Sequence, residues 1–168
     1  MKFIYSIVVL LFATSSVLGQ KKLERTLKQL NSESVPYVYV NELKQSDSII
    51  FLDTRKKEEY SVSHLKNALW VGYKTFEEDT VITKIANKNT PIVVYCSIGV
   101  RSEDIGERLL KAGYTNVKNL YGGIFEWKNQ GNAVYKNTTE TDSVHTFNKQ
   151  WGKLLNKGVK VYDTKQSN

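Results

Sequence analysis

The sequence predicts an α/β domain built on a five-stranded, mainly parallel sheet. Three observations lead there. Short apolar runs alternate along the chain with segments whose apolar residues recur at helical spacing. Two of the runs, Ile49 to Asp53 and Ile92 to Cys96, are continuous rather than alternating, which suits strands covered on both faces. The run ending at Cys96 passes at once into a one-glycine turn and a helical segment, and ligands in such sheets bind beyond the carboxyl ends of strands.

Residues 1–19 read as an export signal. Lys2 supplies a short positive start, Phe3 to Phe12 is apolar except for Ser6, and Ala13 to Gly19 is small and polar. Val17 and Gly19 stand at the −3 and −1 positions of a cleavage site before Gln20. The apolar core is shorter than the roughly 20 residues of a membrane span, so no stable membrane insertion is expected after cleavage. No cysteine lies near that site, which excludes a bacterial lipid anchor there. The mature chain is therefore expected to be periplasmic or secreted.

Residues 20–34 read as a helical linker, with Leu23, Leu27 and Leu30 at i, i+4 and i+7. Tyr37 to Val40 is the first strand, following Pro36. Asn41 to Gln45 starts a helical turn with Asn41 as its cap. Ile49 to Asp53 is the second strand, Lys56 to Tyr60 is helical, and Ala68 to Gly72 is the third strand. Thr75 to Asn87 carries a loose helical pattern through Val81, Ile82 and Ile85. Ile92 to Cys96 is the fourth strand. Ser102 to Ala112 is the clearest helix, with Ser102, Glu103 and Asp104 in its first turn, Ile105, Leu109 and Leu110 on its buried face, and Gly113 as its left-handed stop. Asn116 to Leu120 is the fifth strand. Gly122-Gly123 breaks the chain, and Ile124 to Lys128 makes a short helical turn. The boundaries place one domain over residues 35–131 and an extension over 132–168. In the extension, residues 136 to 146 are polar and loop-like. Phe147, Trp151, Leu154 and Leu155 repeat at helical spacing, and Val159 and Val161 alternate like an edge strand. The extension is expected to pack on the domain, the alternative being a surface for a protein partner.

Composition narrows the function. The 168 residues are 40% hydrophobic and 24% charged, enough for one ordinary core. The formal charge of +7 comes mostly from scattered lysines, without the concentrated basic stripe of a nucleic-acid binder. One cysteine allows neither an intramolecular disulfide nor a cysteine-rich metal site, and the two histidines, His64 and His145, lack ligand spacing. No metal is expected. A lone thiol in a compartment that favours disulfides suggests a thiol kept for chemistry.

That thiol is Cys96, in the run Val93 to Ser102. A cysteine reacts as its thiolate. A helix start offers unpaired N–H groups, and loop amides turned inward form a nest for an anion. Arg101 adds fixed charge and forked donors that suit sulfonate, phosphate or carboxylate oxygens. Gly99 allows positive φ if the loop needs it. The plain alternative is a buried, inert cysteine. The loop and Arg101 favour a nucleophile.

Four stretches, in order, resemble the single-domain rhodaneses, a family of sulfurtransferases. They are Leu52-Asp53-Thr54-Arg55; Glu59-Tyr60 followed by His64-Leu65 and Ala68; Cys96 to Arg101; and Leu120 to Gly123 with Trp127. The resemblance implies helices on both faces of the sheet. It also implies that Cys96 attacks the outer sulfur of a donor such as thiosulfate, a persulfide or a polysulfide. Cys96 then carries a persulfide, cradled by the amides of Ser97, Ile98, Gly99, Val100 and Arg101, until a thiophilic acceptor takes the sulfur. No metal or organic cofactor is implied. Asp53 and Arg55 are read as scaffold beside the loop. The sequence departs from the family pattern where Ser63 and Asn67 flank the histidine, where Ile98 and Val100 make the loop apolar, and in its extension. Arg101 is left as the only loop cation, which favours a donor with an apolar group over thiosulfate.

Two other functions fit less well. A cysteine-dependent phosphatase or arsenate reductase of the related kind has a loop one residue longer and needs a positioned acid. A non-enzymatic binding module of this family would usually have lost the cysteine.

Overall fold

The computed structural model describes residues 21–43 and 48–162. The export signal read in residues 1–19 lies outside the described residues, as does the end of the turn expected at Asn41 to Gln45. Five strands form one sheet: β1 (Tyr37–Val38), β2 (Ile50–Asp53), β3 (Leu69–Trp70), β4 (Ile92–Tyr95) and β5 (Val117–Leu120). All its pairings are parallel, and the strand order is β1-β5-β4-β2-β3. The helices are α1 (residues 21–30), α2 (Lys57–Val62), α3 (Glu78–Lys84), α4 (Val100–Lys111) and α5 (Gly123–Asn129).

Strand β4 shows why the sheet is covered twice. Successive side chains of a strand point to opposite faces, and all four of its residues are buried. Val93 and Tyr95 join one core with Leu23 and Leu27 of α1, Leu120 of β5 and Ile124 of α5. Ile92 and Val94 join the other with Val81 of α3 and Ile105 and Leu109 of α4. Helices therefore flank both faces. As the middle strand of five, β4 delivers the residue after it to the centre of the sheet's carboxyl edge.

Several elements are shorter than the pattern suggests. β1 and β3 have two residues each because they are edge strands, paired on one side only. After β1 the chain turns into a 3₁₀ helix at Val40–Glu42. The Glu42 carboxylate accepts the Tyr39 N–H at 2.8 Å, so Tyr39 rather than Asn41 is the cap. Helix α3 starts at Glu78 rather than Thr75. Helix α4 starts at Val100, two residues early, and Ser102 and Glu103 turn inward. Glu103 there accepts the backbone N–H groups of Ser32 and Ser34. Leu30 of α1 is 52% exposed, so Leu23 and Leu27 alone form that helix's buried face. Leu110 of α4 is only partly buried.

The polar stretch 136–146, read as loop, contains strands. β6 (Val134–Lys136) and β7 (Thr139–Thr141) form an antiparallel hairpin, turning at Asn137 with φ 55°. β8 (Ser143–His145) pairs in parallel with β9 (Val159–Val161), and a 3₁₀ helix spans Trp151–Leu154. β9 follows the edge-strand alternation expected at Val159 and Val161, whereas β7 and β8 have three residues each and β7 turns no residue inside, so no apolar alternation betrays them. Tyr135 exchanges backbone hydrogen bonds with His64 at 2.8 and 2.9 Å. Val134, Val144, Leu154 and Leu155 sink into the core that contains Val93 and Tyr95.

Candidate active site

The site begins with a problem of backbone geometry. The chain leaves β4 at Cys96 and enters α4 at Val100, so Ser97, Ile98 and Gly99 must reverse it in three residues. Gly99 takes φ 112°, which a side chain would resist. Its carbonyl accepts Nδ2 hydrogen bonds from Asn31 (2.9 Å) and Asn119 (2.8 Å). Asn119 is itself oriented by Ser102 Oγ, which donates to its Oδ1 at 2.8 Å.

The rear of the loop is held by α5. Gly122 and Gly123, at φ 71° and 54°, aim the first turn of that helix at the loop. The Ile124 N–H donates to the Cys96 carbonyl at 3.0 Å and the Phe125 N–H to the Ser97 carbonyl at 3.2 Å. A side chain on Gly123 would collide with the Cys96 carbonyl oxygen. Because peptide units are planar and trans, the N–H groups of Ser97 and Ile98 then point away from α5. The Gly99 N–H reaches Cys96 Sγ at 3.1 Å.

Cys96 is buried, and burial pushes its thiol up. The Arg101 charge and the amides of Gly99, Ser102 and Ile98 oppose this and prevail, so the thiol lies below its ordinary value. A thiol so placed, with a cavity opening at it, can act as a nucleophile.

Arg101 is not a free anchor for an anion. Its Nη1 and Nη2 donate to the two carboxylate oxygens of Glu59 at 2.7 and 2.9 Å, and Nη2 also donates to Ser97 Oγ at 3.0 Å. Ser97 Oγ donates in turn to Glu59 Oε1 at 3.1 Å. Burial raises the Glu59 pKa, but the Arg101 hydrogen bonds and charge, Arg55 and the Lys56 N–H bring it down to about 2. Glu59 stays ionised and ties α2 to the loop. Burial lowers the Arg101 pKa, while Glu59 and Cys96 raise it further, so Arg101 stays charged.

Asp53 and Arg55 sit deeper. Arg55 Nη2 donates to Asp53 Oδ2 and to the Ser63 carbonyl, both at 2.6 Å, and Trp70 Nε1 donates to the Arg55 carbonyl at 2.9 Å. Both side chains are fully buried. The pair clamps the end of β2 to the segment after α2 and lies behind the cavity rather than on its wall. Asn67 adopts φ 58°, so that turn uses asparagine's tolerance of the left-handed region.

A cavity of about 230 Å³ opens at the thiol. Its lining comprises Cys96, Ser97, Ile98, Val100 and Arg101 from the loop, and Phe147 and Trp151 from the extension. The five loop residues are those singled out from the sequence, together with Gly99 at the turn. Glu59, Asn119 and the two aromatic residues were missed as site residues. Glu59 had a signal, its place beside Tyr60 in a recognisable stretch. Phe147 and Trp151 had none, since only tertiary packing brings residues some 50 positions away over the thiol. Among the described residues no cluster of three or more His, Cys, Asp or Glu is gathered for a metal.

The arrangement can be compared with known proteins. The chain is 36% identical over 99 residues to a tRNA uridine(34) hydroxylase of Pectobacterium atrosepticum, a match covering 56% of this chain but only 27% of that protein. It is 31% identical over 87 residues to the thiosulfate sulfurtransferase GlpE of Coxiella burnetii, covering 52% of this chain and 78% of the relative. The chain thus spans about a quarter of the hydroxylase's length and most of the sulfurtransferase's. Among solved structures, the BH2092 protein of Bacillus halodurans superposes with a TM-score of 0.54 at 24% identity, over 71% of this chain and 87% of that one. A thiosulfate sulfurtransferase of Pseudomonas aeruginosa does so with a TM-score of 0.56 at 20% identity, over 70% of this chain and 22% of that one. The rhodanese-like domain family model matches residues 37–130, from the first residue of β1 to just past α5. With the sheet, the cysteine loop and the helix behind it all inside that match, the chain belongs to the rhodanese-like domain family.

Proposed function

We propose that the protein is a sulfurtransferase that moves a sulfane sulfur from a small donor to a thiophilic acceptor through a persulfide on Cys96. The observation that carries this reading is the state of the thiol: buried at the loop's centre, hydrogen-bonded by the Gly99 amide and held below its ordinary pKa. In the first step the thiolate attacks the outer sulfur of the donor. With thiosulfate the Sγ–S bond forms, the S–S bond breaks and sulfite leaves with the bonding pair. In the second step an acceptor such as cyanide attacks the terminal sulfur, leaves as thiocyanate and regenerates the thiolate. Each step breaks and forms one bond to sulfur, so no external oxidant or reductant is consumed. The loop amides stabilise the negative charge on whichever sulfur is terminal. Asp53, Arg55 and Glu59 hold the loop's geometry and touch no substrate.

The test is the intact mass of the protein before and after thiosulfate or a small polysulfide, with Cys96→Ser alongside. A gain of one sulfur, lost on adding cyanide and absent from the variant, supports the proposal. No gain from either donor would sink it. We also propose, from the sequence of residues 1–19, that the protein acts outside the cytoplasm. A mature amino terminus at Gln20 in the exported fraction is the expected result.

A further inference from the structure

The loop builds only half of the cavity at Cys96. The facing wall comes from outside the segment that the family model covers, from Phe147 and Trp151. Phe147 is held there at some cost. It takes φ 61°, a region bulky residues avoid, and its N–H donates to His145 Nδ1 at 3.1 Å. The residue stays 40% exposed, at the cavity mouth rather than in the core. Backbone cost accepted to hold an aromatic ring beside a nucleophile points to a role at the site. The ring lies over the Arg101 guanidinium at 5.6 Å and the Lys56 ammonium at 5.4 Å.

The chemistry of the cavity is lopsided. Ile98, Val100, Phe147 and Trp151 present apolar surface. The single loop cation has both terminal nitrogens on the Glu59 carboxylate and its face against Phe147. A doubly charged donor finds a positive charge already compensated, whereas an apolar group finds four apolar side chains. A dry cavity of about 150 Å³ lined by aliphatic and aromatic side chains is large enough for benzene. The 230 Å³ here holds a group of that size with the two sulfurs attached.

We propose that Phe147 and Trp151 are specificity-determining residues, and that they select as donor the hydropersulfide of a thiol carrying a compact apolar group. The proposal rests on the sulfur-transfer reading above. The apolar body lies against the two aromatic rings and Ile98, and the outer sulfur faces Cys96. The thiolate attacks that outer sulfur. The Sγ–S bond forms, the donor's S–S bond breaks, and the apolar thiol departs as its thiolate. The proton on the transferred sulfur stays with it and is then lost to solvent.

The experiment measures the second-order rate of Cys96 persulfide formation in single turnovers, by intact mass, with benzyl hydropersulfide and with cysteine hydropersulfide. The same bond breaks in both donors, so their ratio reads the contact with the apolar body. Thiosulfate is run as a third donor. The expected result is a preference for benzyl over cysteine hydropersulfide of about tenfold or more. Phe147→Ala and Trp151→Ala should each lower that ratio by about tenfold, and Trp151→Leu should fall between. A ratio near one in the wild type, or a ratio unmoved by folded variants, overturns the proposal while leaving sulfur transfer standing. Faster loading from thiosulfate than from benzyl hydropersulfide overturns it too. Loading from none of the three overturns the sulfur-transfer reading itself, and the inference with it.

Discussion

The Cys96 thiol is held below its ordinary pKa by two kinds of neighbour, one of them separable by mutation. The loop amides are backbone and stay in place. The Arg101 charge can be removed. The alkylation rate of Cys96 against pH should therefore inflect below the value of a free thiol. In Arg101→Met the inflection should move up, because burial then acts against the amides alone. An inflection at or above that of a free thiol in the wild type would contradict the electrostatics described. Glu59 makes a second prediction. Its pKa is about 2 in the fold against 4.5 ordinarily. A depressed carboxyl adds stability that is complete above the unfolded value and lost as pH falls through the folded one. This group should contribute on the order of 3 kcal/mol above about pH 4.5, fading toward pH 2. In Glu59→Gln, stability measured by urea unfolding should fall at neutral pH and depend less on pH across that window. Cys96 and Arg101 could be singled out from sequence because the chemistry of their types is local. The partner of Arg101 could not, because the recognisable stretch around Glu59 marks the residue and not its pairing with a side chain 42 positions away.

At the scale of elements, the central strands and α4 were legible, because burial on both faces leaves a continuous apolar run and a long helix leaves a clear period. The edge strands β1 and β3 were legible in place but not in length, β9 was legible as an edge strand, and β6, β7 and β8 were not legible as strands. Two or three residues paired on one side need no apolar pattern, and hydrogen bonds to a neighbour settle what the side chains leave open. Glycines sort in the same way. Gly113 and Gly123 both read as breaks, and both have positive φ, 92° and 54°. Only the structure separates them. A side chain at Gly113 meets nothing within 4 Å, whereas at Gly123 it meets the Cys96 and Ser97 backbone. Gly113→Ala should cost only the left-handed penalty, about 1–2 kcal/mol. Gly123→Ala should cost clearly more in thermal or urea unfolding. Where it folds, α5 must withdraw from the loop, and the alkylation rate of Cys96 should change. Equal costs at the two positions would show that α5 does not brace the loop.

The whole molecule joins a family domain to an extension that shares its core. Leu155 is fully buried among residues of both parts. Leu155→Ala should destabilise the entire protein by about 2–5 kcal/mol rather than loosen the extension alone. Tryptophan fluorescence and far-ultraviolet circular dichroism should report one coincident unfolding transition, in the wild type and the variant alike. Two separated transitions would mean that the extension is an independent unit. The strand order also sets a timetable. β1 comes first along the chain, yet its neighbour in the sheet is β5, with Tyr37 opposite Asn119. Loop closure across about 80 residues delays that pairing until the rest of the sheet exists. Asn119 is also the residue that grips the Gly99 carbonyl, and Gly123 admits the helix that grips Cys96. On a ribosome adding about 5–20 residues per second, the thiol is made on the order of seconds before its enclosure. The one cysteine is therefore older than its cradle in every newborn chain, because the residues that enclose it are the later ones.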